Sequence, residues 1–87
     1  SANFLLGMSL RKIQEFEKAE EAFLKAKELA DGKSPDIHWN LALLYAHNLN
    51  RYKDAAKELE LYLKAKPDIQ NKEAIKKLIK EFKNKPA

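Results

Sequence analysis

The sequence contains no cysteine, and it has only two glycines and three prolines in 87 residues. Without cysteine, neither a disulfide framework nor a thiolate metal site can form. The only β-branched residues are five isoleucines, whereas Ala, Leu, Glu and Lys dominate. This composition favours helices over strands. We therefore expect an all-α fold, in a single small domain with a modest core.

Long apolar segments are also absent. No apolar run approaches the roughly 20 residues that span a bilayer, so membrane insertion is not expected. The N-terminal stretch SANFLLGMSL lacks a basic start and a long apolar core, so we expect no signal peptide there. The compartment stays open, because a chain without cysteine suits both the cytosol and an exported domain.

Positive charge is concentrated near the C-terminus. Residues 1–63 carry nine Lys/Arg and ten Asp/Glu, whereas residues 64–87 carry eight lysines and three acids. A nucleic-acid footprint would be better supported by arginines and exposed aromatic residues, and no arginine follows Arg51. A solvated lysine-rich helix face is therefore favoured over nucleic-acid binding.

Two breaks divide the chain, DGKSPD at residues 31–36 and KPDIQN at residues 66–71. Gly32 suits the left-handed position after a helix, and Ser34 suits the N-cap of the next helix. Between the breaks, apolar residues recur at helical spacing. The pattern predicts helices near residues 2–14, 17–30, 35–48, 52–65 and 71–84. The short loops within each pair predict antiparallel neighbours.

The third and fourth helices repeat the first and second. The corresponding pairs are Leu6/Leu41, Gly7/Ala42, Leu10/Tyr45, Phe16/Tyr52, Ala19/Ala55 and Phe23/Leu59. The first three pairs are 35 residues apart and the last three are 36 apart. The second unit therefore holds one extra residue, which we place in the turn HNLNR. Small residues at two fixed places let the backbones of a hairpin approach, and large neighbours fill the space around the crossing.

This pattern resembles the tetratricopeptide repeat (TPR), a helical hairpin of about 34 residues. The second unit matches best, through Asn40, Leu41, Ala42, Tyr45, Tyr52, Ala55, Leu59 and Pro67. The departures are Asp31 in place of the usual proline, Tyr62 in place of alanine, and a tryptophan, Trp39, one position late. The resemblance implies an α-solenoid with repeats at about residues 1–34 and 35–69 and a capping helix at about 70–84.

The two ends of this solenoid differ in protection. Ile75, Leu78, Ile79 and Phe82 form a stripe with which the last helix can cover the second repeat. The first helix has no such cover and no convincing N-cap, and two repeats are fewer than the three usually needed. We therefore expect either an end of a longer array or self-association through the first helix.

The resemblance also implies where a partner would bind. In TPR domains the first helix of each repeat lines a concave groove. The corresponding partner-binding candidates here are Phe4, Met8, Arg11, Lys12, Trp39, Leu43 and His47. Lys76, Lys80 and Lys83 would follow if the last helix keeps the register. Simple packing is the competing interpretation for the apolar members. The subclass that grips chaperone C-termini needs Lys and Asn where Phe4 and Met8 stand, so that ligand is disfavoured.

Catalytic or metal-binding patterns are not evident. His38 and His47 are nine residues apart, which places them out of phase on a helix, and no carboxylate set joins them. The serines lack an evident base, and no glycine-rich phosphate loop is present. We expect a non-enzymatic module without cofactor or metal that binds a protein or peptide in an apolar, basic-rimmed groove. The alternatives are self-association through the uncapped first helix and electrostatic binding of an acidic partner by the lysine-rich last helix.

Overall fold

Helices account for most of the computed structural model, which describes residues 1–86. The α-helices in this range are α1 (Ala2–Lys12), α2 (Phe16–Leu29), α3 (Pro35–Leu43), α4 (Tyr52–Ala65) and α5 (Lys72–Lys83). A π-helical turn (Leu44–Asn48) continues α3. The five predicted helices are therefore confirmed, and the largest difference concerns this turn. Helices α1 and α2 form one hairpin, α3 and α4 a second, and α5 packs on α4.

Left-handed residues end the helices where the sequence suggests turns. Gln14 has φ 67° and Asn50 has φ 54°, at corresponding places in the two hairpins. Gly32 also has φ 67°, as predicted for the position after a helix. Ser34 occupies the predicted N-cap position of α3, although its side chain makes no capping bond. The expectation that α1 lacks an N-cap is wrong, because the Ser1 hydroxyl accepts a hydrogen bond from the Phe4 N–H at 3.4 Å.

The extra residue of the second hairpin lies inside the helix rather than in the turn that follows. In the first hairpin the Glu15 N–H donates to the Leu10 carbonyl at 2.8 Å. The corresponding bond in the second hairpin runs from Arg51 to Tyr45, also at 2.8 Å, and spans one residue more. A π-helical turn takes up one extra residue without displacing its two ends. Our placement of this residue in the turn HNLNR is thus corrected.

The small residues lie at the helix crossings as predicted. Gly7 and Ala42 are buried, as are their counterparts on the second helices, Ala19 and Ala55. A methyl group added at Gly7 would lie 2.6 Å from two ring carbons of Phe23, so only glycine fits beside this ring. At the corresponding places the second hairpin has Ala42 and Leu59. The larger residue at the crossing, alanine instead of glycine, is thus matched by a smaller neighbour, leucine instead of phenylalanine.

Two apolar clusters make up the core. The first joins the two hairpins and contains Phe23, Leu41, Leu44 and other buried side chains. The second joins the second hairpin to α5 through Leu59, Ile75 and others. Ile75 and Ile79 are buried and Leu78 and Phe82 half-buried, so the predicted stripe does cover the second repeat.

The first helix leaves part of its apolar surface uncovered. Leu6 is 50% exposed, although the sequence pattern places it in the hairpin crossing, whereas its counterpart Leu41 is fully buried. The prediction for Leu6 is wrong because Leu41 packs in a cluster with residues of the preceding hairpin, and residues 1–86 provide no such hairpin before α1. Leu5 and Ile13 are also exposed. Across the described part of the chain, none of the helices has the length and apolar character to cross a membrane.

Candidate functional site

A cavity of about 420 Å³ lies between the first helices of the two hairpins. We call it the α1–α3 groove. Its lining consists of Met8, Arg11, Lys12, Gln14, Phe16, Asn40 and Asn48. The first three come from α1, Asn40 comes from α3, and Asn48 ends the π-helical turn. The groove therefore depends on how the two hairpins stack, and neither hairpin forms it alone.

Arg11 crosses this groove to the opposite hairpin. Its Nε donates a hydrogen bond to Oδ1 of Asn48 at 2.7 Å, in a half-buried position. Within residues 1–86, no carboxylate oxygen lies within 4.0 Å of this guanidinium, so Arg11 forms no ion pair there. Arg11 is thus held in place by a neutral amide, and no acidic neighbour in the described part of the chain neutralises its charge.

Three of the predicted partner-binding residues meet in the groove. Met8, Arg11 and Lys12 all line it, and Met8 is 45% exposed. Phe4 lies elsewhere, because its ring packs against Phe23 with centroids 5.9 Å apart. Phe4 lines a separate cavity of about 350 Å³ at the opposite end of α1, with Ile37 of α3.

The predicted residues of the second hairpin are more dispersed. The half-buried Trp39 ring packs against Tyr62 of α4, with centroids 5.2 Å apart, and joins the second apolar cluster. Tyr62 is the residue that stands where the TPR pattern has alanine, so this contact follows from that departure. Leu43 is half-buried and His47 is exposed, and neither lines the α1–α3 groove.

Four lining residues were not among the predicted partner-binding residues. Gln14 and Phe16 follow α1 at the hairpin turn, where Gln14 has a left-handed conformation. Asn40 donates its side-chain N–H to the Asp36 carbonyl at 2.8 Å, in keeping with a structural role. Asn48 reaches the groove through the π-helical turn. The one-residue difference between the repeat separations was the only sequence signal for it.

The charge of the α1–α3 groove differs from that of the surface between α2 and α4. The groove holds two cations and no acid among its lining residues. The cavity between the second helices, of about 580 Å³, carries both signs: Lys27, Lys57, Asp54, Glu58 and Glu60. An anionic ligand would thus meet uncompensated positive charge in the α1–α3 groove, and mixed charge between α2 and α4.

The lysines of α5 lie outside both cavities. Lys76, Lys80 and Lys83 are exposed, and none lines the α1–α3 groove. Lys83 pairs with Glu60 of α4 at 3.0 Å, which ties the covering helix to the second hairpin. The helix thus presents a lysine-rich outer face to solvent.

The two histidines occupy different environments. His38 is 1% exposed, and its Nε2 lies 2.9 Å from the Gly32 carbonyl oxygen. Its Nδ1 is hydrogen-bonded to Oε1 of Glu58 at 2.9 Å, while Lys27 donates to Oε2 of Glu58 at 2.7 Å. His38 is therefore a packing histidine. Over residues 1–86 no cluster of three or more His, Cys, Asp or Glu side chains could hold a metal ion.

A second polar network joins the hairpins close to the first, since Tyr45 lines the same cavity between α2 and α4 as Lys27 and Glu58. The Tyr45 hydroxyl donates to Glu20 at 2.8 Å, and Arg51 Nη1 donates to the same carboxylate at 2.9 Å. The Arg51 guanidinium also lies 4.6 Å from the centroid of the Tyr45 ring. Burial, followed by the hydrogen bond to Glu20, raises the pKa of the Tyr45 phenol well above its ordinary value. The bond to Asp54 raises the pKa of Arg51.

The comparisons with known proteins agree with this architecture. The family model described as Tetratricopeptide repeat matches residues 1–32 and 35–69. These two segments coincide with the two hairpins and cover most of the chain. No curated protein and no solved structure matches the chain. The two family matches, the paired hairpins and the covering helix show an all-α TPR solenoid, and the chain belongs to the tetratricopeptide repeat family.

Proposed function

We propose that this chain binds a peptide or a helix of a protein partner in the α1–α3 groove. Tetratricopeptide repeats are generally protein–protein interaction modules, and the repeat itself is non-catalytic. The role proposed here is accordingly non-enzymatic.

The observation that carries the proposal is the composition of the groove. Met8 and Phe16 offer apolar contact, and Arg11 and Lys12 place positive charge beside them. Amide side chains from both hairpins add donors and acceptors. Such a mixture suits an extended peptide or an amphipathic helix that carries both acidic and bulky apolar side chains.

Panning a library of random 12-residue peptides on the whole chain would test this function. Selected peptides should lose affinity for Met8→Asp and Lys12→Glu. The control is Lys18→Glu, because Lys18 is an exposed lysine of α2 outside the groove and the charge change is the same. Peptides that bind all three variants as well as the native chain would contradict groove binding.

The contribution of Trp39 to partner binding remains a prediction. Its ring contacts Tyr62, so alanine at this position also removes an intramolecular aromatic pair. Such pairs contribute about 0.5–1.5 kcal/mol beyond their area burial. A loss of binding in Trp39→Ala would therefore support a ligand contact only if the variant stays folded under the assay conditions.

Self-association through α1 is a second candidate, supported by its exposed apolar side chains. Leu5, Leu6 and Ile13 are 63%, 50% and 68% exposed. The counterpart of Leu6 packs into the interface between the hairpins, so a helix of another copy could cover Leu6 in the same way. Sedimentation at several concentrations should show association that Leu6→Lys abolishes. A native chain that remains monomeric at high concentration would rule this role out.

A further inference from the structure

The guanidinium of Arg11 is oriented from one side only. Its Nε is engaged by Asn48, which fixes the plane of the group across the groove. An arginine presents its donors in a rigid fork, so the two terminal nitrogens remain to meet a ligand once Nε is engaged. In the described chain these nitrogens meet no carboxylate. A carboxylate suits this fork because its two oxygens can accept two parallel hydrogen bonds.

The other arginine shows what a neutralised guanidinium looks like in this fold. Arg51 binds Glu20 through Nη1 and Asp54 through Nε, at 2.9 Å and 2.8 Å. Both of its carboxylate partners belong to the chain itself. The Nε of Arg11 instead binds a neutral amide, Asn48, whereas the Nε of Arg51 binds the carboxylate of Asp54. Lys12 adds a second positive charge to the lining of the groove. The groove therefore carries positive charge that would attract an acidic ligand.

Lining residues on both sides of Arg11 indicate which acid fits. Met8 lies one helical turn before Arg11, and Gln14 and Phe16 lie beyond it. A ligand that used all of these contacts would extend in both directions from its acidic group. This arrangement favours an Asp or Glu side chain within a peptide over the carboxylate at a chain end.

From these contacts we infer that Arg11, held by Asn48, is the specificity-determining residue of the groove and selects peptides with an internal Asp or Glu beside apolar residues. This inference rests on the proposed function and names its ligand class. Asn48 acts as a positioning residue, since it orients the guanidinium and is itself brought to the groove by the π-helical turn.

Two peptide libraries distinguish the possible sources of the carboxylate. In one, 12 random residues are fused through their C-terminus, so that only side chains supply acids; in the other, the C-terminus is free. Panned on the native chain, the fused library should yield peptides with Asp or Glu flanked by apolar residues. Binders that come only from the free C-terminus library would overturn the assignment to an internal side chain.

A double-mutant cycle then tests Arg11 itself. In a selected peptide, replacing the acid by its amide should weaken binding to the native chain about tenfold or more, or about 1.4 kcal/mol. The same replacement should have little effect on binding to Arg11→Gln. Lys18→Gln loses one charge outside the groove and should behave like the native chain. Equal sensitivity in native chain and Arg11→Gln would overturn the inference.

Asn48→Asp gives the readout for positioning. The aspartate keeps an acceptor oxygen near Arg11, but its negative charge neutralises the guanidinium. The preference for the acidic peptide over its amide should therefore disappear. Binding of the amide peptide should stay within about twofold. A preserved acid preference in this variant would exclude the role given to Asn48. If selected peptides depend on Met8 but show no acid preference, the inference fails and groove binding stands; if none depends on groove residues, both fail.

Discussion

Nδ1 of His38 lies 2.9 Å from Oε1 of Glu58, and this contact joins the two helices of the second hairpin inside the core. The same imidazole reaches the Gly32 carbonyl, so it also fixes the turn that connects the hairpins. Lys27 completes the contact from α2. One buried group therefore ties together both repeats and the loop between them.

Glu58→Ala should lower the free energy of unfolding by about 1–3 kcal/mol, because His38 and Lys27 would both lose their buried partner. Domains of this size are stable by only about 5–15 kcal/mol, so the loss is readily measured. Urea unfolding followed by circular dichroism at 222 nm would provide the value. Glu60→Ala is the control, since Glu60 is exposed and pairs only at the surface with Lys83. Equal stability of the two variants would contradict a structural role for the network.

Gly7→Ala should destabilise the first hairpin, although alanine is the better helix former by about 1 kcal/mol. The added methyl group would lie 2.6 Å from the Phe23 ring, and overpacking of this kind costs about 1–3 kcal/mol. Phe23→Leu in the same chain should recover part of the loss, because the second hairpin combines alanine with leucine at these places. Thermal unfolding of the single and double variants tests this pairing. If the double variant loses as much stability as the two single variants together, the two sites are independent.

The sequence was sufficient for the fold but not for the site. The periodicity of 35–36 residues and the small residues at Gly7, Ala19, Ala42 and Ala55 depend on backbone spacing, which constrains residue type directly. The Arg11–Asn48 contact depends on where a one-residue insertion is absorbed, and a turn and a π-helical bulge are equally compatible with the residue count.

Other misses have the same origin in three-dimensional packing. Leu6 follows the repeat pattern, but no further hairpin packs on it within residues 1–86, so the pattern predicted its register correctly and its burial wrongly. His38 and Glu58 are 20 residues apart and on different helices, and no local motif marks such a pair. Periodicity reports which side of a helix a residue faces, whereas pairing across helices depends on the crossing geometry.

Tyr45→Phe should cost stability near neutral pH, and this cost should shrink in alkali. Burial and the bond to Glu20 raise the pKa of the folded phenol, whereas in the unfolded chain it ionises near pH 10. As pH rises above about 10, the unfolded state releases this proton while the folded state retains it, so unfolding becomes easier. Phenylalanine cannot ionise, so Tyr45→Phe does not lose stability in this way as the pH rises.

The measurement for Tyr45 is the difference in unfolding free energy between the native chain and Tyr45→Phe from pH 8 to pH 11. All lysines and the other tyrosines are common to both chains, so their titration largely cancels. The difference should fall by up to about 1.4 kcal/mol for each pH unit above 10. A difference that stays constant over this range would contradict preferential retention of the proton in the folded state.

Deleting His47 should convert the π-helical turn into an ordinary α-helical end and leave the chain folded. His47 is exposed, and the deletion shortens the span from Arg51 to Tyr45 to that from Glu15 to Leu10 in the first hairpin. Ala56 provides the control deletion: it is buried within α4, which carries no extra residue, so its removal should unfold the second hairpin. Circular dichroism and amide NMR spectra distinguish the two outcomes.

The same deletion separates architecture from recognition. Without the extra residue, Asn48 would occupy the position equivalent to Lys12 and could no longer hold the Arg11 Nε. The shortened chain should therefore bind amide and acidic versions of a selected peptide with similar affinity while it keeps its helix content. If instead it unfolds like the Ala56 deletion, the π-helical turn is required for folding. If it folds and still prefers the acidic peptide, Arg11 is oriented by something other than Asn48.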